Sequence, residues 1–113
     1  MPTTRLIASI IKDPALSRGL AFALRAYGYE VVTFRSWKLA GEKVGEASCV
    51  ILDGCLPESE REACLATVAA VTPVLFLADH EKVSVDRPGV QILYKPLTGT
   101  DVVTALIRIS KNP

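Results

Sequence analysis

Five short apolar runs, most of them rich in branched side chains, recur along the 113-residue chain and constrain its fold more than any other feature. Short runs without clear alternation are typical of strands that are buried on both faces. The runs are Arg5–Ile11, Glu30–Phe34, Cys49–Leu52, Val74–Leu77 and Gln91–Tyr94. Helical segments separate most of them, and this alternation predicts right-handed crossovers and a parallel sheet.

Helix signals lie between the runs. Asp13 before a proline predicts a helix that starts with Asp13 as its N-cap, and Gly28 predicts where that helix ends. The last helix is expected to be capped by Thr100 or Asp101. Residues 79–89 are polar and contain S-V-D-R-P-G, so we expect a loop or a single turn there. Three further helices are predicted, over Ser36–Glu46, Glu58–Val71 and Asp101–Ile109.

The length and composition predict one soluble domain over residues 1–113, with no output domain. Half of the residues are hydrophobic, which supports a core without disulfides or metals. No apolar run approaches the roughly 20 residues of a membrane span. The first residues lack the pattern of a signal peptide, so we expect a cytoplasmic protein with no membrane partner.

Charge and cysteine content exclude other classes. The net charge is +1 and the charges are interspersed, which argues against direct nucleic-acid binding. The three cysteines, Cys49, Cys55 and Cys64, are odd in number and lack C-x-x-C spacing, so zinc and a disulfide framework are disfavoured. We interpret them as free, partly buried thiols.

Charged residues follow three of the runs. Asp53 ends the third run, Lys95 follows the fifth, and Lys12 follows the first. Because the carboxyl ends of parallel strands meet at one sheet edge, Asp53 and Lys95 are expected to approach each other there, with Lys12 nearby. An acid beside ammonium groups stays ionised, and an ionised carboxylate is the nucleophile of aspartyl phosphorylation. The ammonium groups would neutralise the incoming phosphoryl group.

Four segments, "RGLAFALRAYGYEVVTF", "VILDGCLP", "TPVLFLA" and "ILYKPL", resemble the receiver domain of bacterial two-component response regulators. The resemblance extends from Leu6 to about Ser110. It implies an α/β, flavodoxin-like (βα)5 doubly wound parallel sheet in the order 2-1-3-4-5, here with the fourth helix short or absent. It also implies phosphoryl transfer from a sensor histidine kinase or a phosphotransfer protein to Asp53, with Lys95 contacting the phosphoryl group.

Several positions depart from the family pattern. Receivers carry two acids after the first strand that hold Mg²⁺, whereas Ile11 and Lys12 stand there and Asp13 falls one position late. Asp53 and Asp13 are the remaining candidate Mg²⁺ ligands, and a helix cap is the preferred interpretation of Asp13. Three other pocket positions also differ: Ala78 lacks the usual hydroxyl, Asp79 adds a negative charge, and Ile92 replaces the aromatic switch residue.

Two functions therefore stay open. The first is a single-domain response regulator that is phosphorylated on Asp53 and acts on a downstream protein target, either alone or as a homodimer. The second is a phosphorylation-independent pseudo-receiver that serves as an interaction module. An enzyme or nucleotide binder of similar architecture is disfavoured, because Cys55 replaces the second acid of a dehalogenase-type phosphatase and no glycine-rich turn follows the first strand.

Overall fold

The computed structural model describes residues 6–68, 72–79, 89–95 and 98–111. Five strands and four α-helices lie within these ranges, together with a 3₁₀ helix over Gly41–Glu46. The strands are β1 (Leu6–Ile10), β2 (Glu30–Phe34), β3 (Cys49–Asp53), β4 (Val74–Ala78) and β5 (Val90–Tyr94). The α-helices are α1 (Pro14–Ala26), α2 (Trp37–Ala40), α3 (Glu58–Val68) and α4 (Gly99–Lys111).

The strands form one parallel sheet in the order β2-β1-β3-β4-β5, so the predicted flavodoxin-like topology is confirmed. Strand β3 lies at the centre, where Ile51 pairs with Ser9 of β1 and with Leu75 of β4. The register brings the carboxyl ends of β1, β3 and β4 level with one another, because Leu52 pairs with Ile10 and Asp53 pairs with Leu77.

Alternate side chains of the strands enter two separate cores. Helices α1 and α4 cover one face, where Leu24 and Val102 are fully buried. Helices α2 and α3 and the 3₁₀ helix cover the other face, where Phe76 is 1% exposed. Burial on both faces explains why β3 and β4 are continuous apolar runs. The result is a three-layer domain whose central strands end at one edge.

Helix α1 follows the sequence signals closely. The Asp13 side chain accepts a hydrogen bond from the Ala15 N–H, as an N-cap does. At the other end, Gly28 has a φ of +93°, and the Tyr29 N–H donates to the Leu24 carbonyl. A non-glycine residue rarely adopts that φ, so Gly28 fixes where the chain turns back toward β2.

Other helix predictions need correction. The segment Ser36–Glu46 is a single α-helical turn followed by the 3₁₀ helix, because Gly41 has a φ of +42° and ends the α-helix. Helix α4 begins at Gly99 rather than Asp101. Its start is closed by a reciprocal cap in which the Thr98 hydroxyl accepts from the Asp101 N–H and the Asp101 carboxylate accepts from the Thr98 N–H.

Two predictions fall partly outside the described residues. The predicted end of the third helix at Val71 lies in the range 69–71, and the short or absent fourth helix lies in the range 80–88. Within the four described ranges, no helix has the length and apolar character that a bilayer span requires.

Candidate functional site

Asp53 is the last residue of β3, at the centre of the sheet edge, and it has no solvent exposure. A tight turn follows it at once. The Gly54 N–H donates to the Leu77 carbonyl at 2.8 Å, and a Cβ on Gly54 would lie 2.6 Å from that same oxygen. Glycine therefore allows the chain to turn against β4 immediately after the carboxylate, which holds Asp53 beside the ends of its neighbouring strands.

Three donors hold the Asp53 carboxylate. The Lys95 ammonium lies 2.7 Å from Oδ1, and the Cys55 N–H donates to the same oxygen at 3.0 Å. The Lys12 main-chain N–H donates to Oδ2 at 3.1 Å. A buried carboxylate is stable only when it is paired and hydrogen-bonded, and these three donors supply both kinds of partner.

Lys95 follows β5, and its main-chain N–H donates to the Ala78 carbonyl at 2.8 Å. This bond holds the main chain of Lys95 next to the end of β4. From that position the Lys95 ammonium reaches Asp53. Partial burial by itself lowers the pKa of the Lys95 ammonium, but the hydrogen bond and charge of Asp53, together with the hydrogen bond to Asp79, outweigh it and raise the pKa above its ordinary value. Lys95 is therefore a permanent cation at physiological pH.

Asp79 and Cys55 lie on the solvent side of this ion pair. The Asp79 Oδ1 is 3.2 Å from the Lys95 ammonium, and its Oδ2 accepts a hydrogen bond from the Cys55 thiol at 2.6 Å. The Cys55 Sγ is 3.6 Å from the same ammonium. The hydrogen bond to Asp79, assisted by desolvation, raises the pKa of the Cys55 thiol.

Lys12 and Asp13 lie beside Asp53, but not in the arrangement that their side-chain chemistry suggested. The Lys12 side chain is exposed, and its ammonium forms no ion pair with Asp53 in the described part of the chain. The expected approach of Lys95 to Asp53 is therefore present, but Lys12 binds Asp53 through its main-chain N–H and not through its ammonium. The Asp13 Oδ1 is engaged as the cap of α1.

Ala78 and Ile92 occupy structural positions in the strands. Ala78 ends β4 with no solvent exposure, and only its methyl group is available where receivers present a hydroxyl. Ile92 is partly buried in β5, pairs with Phe76, and packs on the core that α2 and α3 cover. The side chains at both positions are apolar, so they pack within the sheet and offer no hydrogen bond at its carboxyl edge.

The charged groups line an open depression of about 630 Å³ at the carboxyl edge of the sheet. Its lining residues are Lys12, Asp13, Leu16, Asp53, Cys55, Asp79 and Lys95. Three carboxylates face two ammonium groups, which leaves one net negative charge. The depression has room for a phosphoryl group, and its floor is the buried Asp53.

No protein-family model and no curated protein sequence matches the chain. Solved structures do match it. A chemotaxis response regulator, CheY4 of Vibrio cholerae, superimposes with a TM-score of 0.80 at 19% identity, covering 95% of this chain and 99% of that chain. A response regulator receiver protein from Burkholderia phymatum gives 0.78 at 19% identity, covering 94% of each chain. The chain has the receiver-domain fold.

A third match places the same fold in another kind of protein. The receiver domain of a signal transduction histidine kinase from Syntrophus aciditrophicus gives a TM-score of 0.76 at 16% identity, covering 94% of this chain and 89% of that chain. The two residues predicted to meet at the carboxyl edge of the sheet do so: Asp53 and Lys95 lie at the carboxyl ends of β3 and β5, in contact with each other.

The donors around Asp53 do not fit Mg²⁺. Among the described residues, no group of three or more His, Cys, Asp or Glu side chains is arranged to hold a metal ion. Asp53, the first predicted ligand, has both oxygens engaged by protein donors, and the second, Asp13, caps α1. Mg²⁺ prefers several oxygen ligands in octahedral geometry, and the described side chains do not present such a set.

Two residues beside Asp53 have larger roles than the sequence pattern predicts. The sequence predicts Cys55 as a free, partly buried thiol, yet Cys55 is exposed, its N–H donates to Asp53 and its thiol donates to Asp79. Gly54 was not singled out, although a glycine directly after a strand-ending acid is a signal for close backbone approach. The Asp79–Lys95 contact depends on loop conformation, which residue type alone does not report.

Alkylation should distinguish the three thiols. Burial raises the pKa of Cys49 and that of Cys64 to about 12, whereas Cys55 is exposed. Because the thiolate is the reactive form, we expect iodoacetamide to label the folded protein once, at Cys55, and to label all three cysteines in denaturant. Intact mass and peptide mapping measure this. Equal labelling of Cys49 or Cys64 in the folded protein would contradict the packing of β3 and α3.

Proposed function

We propose that the protein is a response regulator of two-component signalling, which accepts a phosphoryl group on Asp53 and acts through protein contacts. The donor is a sensor histidine kinase or a phosphotransfer protein. One observation carries the proposal: a fully buried carboxylate at the end of the central strand is paired at 2.7 Å with an ammonium from the end of β5. Structural relatives named as response regulators support the same assignment.

The chemistry follows from the donors around Asp53. A carboxylate oxygen attacks the phosphorus of the donor, the bond from phosphorus to the leaving group breaks with its electron pair, and an acyl phosphate forms. The main-chain N–H groups of Lys12 and Cys55 orient the carboxylate for this attack. As negative charge moves onto the phosphoryl oxygens, the Lys95 ammonium donates a hydrogen bond to one of them and neutralises that charge.

The test is the mass of the intact protein after treatment with phosphoramidate, a small phosphodonor. We expect wild type to gain one phosphoryl group and Asp53→Asn to gain none, because the amide is not a nucleophile at neutral pH. Asp101→Asn is the matched control, since Asp101 belongs to the start of α4 and is absent from the depression lining. Equal labelling of wild type and Asp53→Asn would refute Asp53 as the acceptor.

A second candidate, the phosphorylation-independent pseudo-receiver, is favoured by two features. Ala78 offers no hydroxyl to a phosphoryl group, and Asp79 already holds Lys95. In that case the Asp53–Lys95 pair has a structural role only. Partner binding that is identical for wild type, Asp53→Asn and donor-treated protein would select this candidate, whereas binding that changes with the donor only in wild type would select the response regulator.

A further inference from the structure

The Lys95 ammonium has no free hydrogen-bond donor left for an incoming anion. An ammonium group carries three N–H donors. Its three acceptors here are Asp53 Oδ1 at 2.7 Å, Asp79 Oδ1 at 3.2 Å and Cys55 Sγ at 3.6 Å. A phosphoryl oxygen that binds Lys95 must therefore displace one of these partners.

Asp79 is the partner that a phosphoryl group would meet first. The Asp53 side chain is 1% exposed and lies below the ammonium, whereas the Asp79 side chain is 39% exposed and lies on its solvent side. A carboxylate oxygen and a phosphoryl oxygen are both anionic acceptors of a charge-assisted hydrogen bond. The two groups therefore need the same N–H donor from the same direction.

We propose that Asp79 is a built-in competitor of the phosphoryl group: its carboxylate occupies the anion position on Lys95 and so slows phosphorylation of Asp53. This inference rests on the proposed function. The Cys55 thiol supports the competing position, because its hydrogen bond holds the second oxygen of Asp79. Phosphorylation then has a local consequence: the Asp79 carboxylate leaves Lys95. Asp79 directly follows the apolar Ala78, the last residue of β4.

The first arm of the test compares phosphorylation rates of Asp79→Asn and wild type. With phosphoramidate and intact-mass detection, we expect the variant to be labelled at least about threefold faster, because a half-exposed competing charge has been removed. Asp101→Asn is the matched control. It removes an equal charge from the exposed start of α4, outside the depression, and should change the rate by less than about twofold. Equal rates for Asp79→Asn and wild type would overturn the proposal, as would equal acceleration by Asp101→Asn.

The second arm does not depend on phosphoryl transfer. Inorganic phosphate is titrated into each protein while the NMR signals of the Lys95 and Cys55 amides are followed. We expect phosphate to bind Asp79→Asn at least about threefold more tightly than wild type. If this difference is found but neither protein is labelled by phosphoramidate, only the proposed function fails. The same affinity for both proteins, or binding to neither, overturns the competitor role whatever the labelling shows.

Discussion

Lys95→Met is expected to reduce phosphorylation of Asp53 about 100-fold, because it removes the only ammonium that contacts the carboxylate within the described residues. Methionine keeps the unbranched shape of the side chain up to the ammonium and lacks the charge, so the loss mainly reports the ammonium group. The measurement is the initial rate of mass gain with phosphoramidate.

The same substitution is expected to destabilise the fold by about 3 kcal/mol, because it leaves a buried carboxylate without its ion pair. Hydrogen bonding and the charge of Asp53 outweigh desolvation and raise the pKa of Lys95. Because the pKa of Lys95 is higher in the folded state than in the unfolded state, the ion pair contributes its full stabilisation at every pH below the unfolded pKa of about 10.4. The stabilisation is lost only as the pH rises through the higher pKa of the folded state. Urea denaturation should therefore give the same difference from wild type at pH 7 and at pH 9.

Lys12→Met is the matched control for this prediction. It removes an ammonium group from the same depression but keeps the main-chain N–H that binds Asp53. We expect its labelling rate to fall by no more than about threefold and its stability to change by less than about 0.5 kcal/mol, since the side chain is exposed. Equal losses in the two lysine variants would contradict the distinct roles that the structure gives these residues.

Gly54→Ala is expected to destabilise the protein by about 3 kcal/mol and to impair phosphorylation with it. The added Cβ would lie 2.6 Å from the Leu77 carbonyl oxygen and 3.2 Å from the Phe76 ring. The oxygen belongs to the main chain of the central sheet, so relief requires movement of the turn that carries Cys55 and orients Asp53. Urea denaturation and the phosphoramidate labelling rate measure the two effects.

Gly19→Ala is the control for Gly54→Ala. Gly19 is exposed in the middle of α1, and a Cβ there meets nothing within 4 Å. Alanine is the better helix former, so we expect this variant to be more stable by about 0.5–1 kcal/mol and to label normally. A Gly54→Ala protein as stable as Gly19→Ala would show that the turn after β3 is not tightly packed.

The sequence was sufficient to predict the middle of the sheet because β1, β3 and β4 are buried on both faces, which leaves a continuous apolar run in the chain. The edge strands β2 and β5 are only partly buried. Parallel strands then place their carboxyl ends together, and this alone brought Asp53 and Lys95 to one edge. Asp13 and Gly28 marked the ends of α1 because capping is a local interaction between near neighbours in sequence.

The sequence failed to predict contacts that a main-chain group makes. It also failed where neighbouring residues have the same capping chemistry. Lys12 binds Asp53 through its N–H, which every residue type except proline possesses, so the lysine side chain was misleading. At the start of α4, Thr98 and Asp101 form the reciprocal cap, and the neighbouring Thr100 has the same cap chemistry. The Asp79–Cys55 bond joins side chains 24 positions apart, and residue type gives no signal for it.

The most direct test of the account is to locate the phosphoryl group in wild-type protein. Treatment with phosphoramidate, in EDTA and in Mg²⁺, is followed by borohydride, which reduces an aspartyl phosphate to homoserine, and by peptide mass mapping. The account predicts homoserine at position 53 and at no other aspartate. Homoserine at a different position would contradict phosphorylation of Asp53. So would the absence of homoserine with phosphoramidate in both EDTA and Mg²⁺, if a phosphorylated histidine-kinase domain also fails as donor.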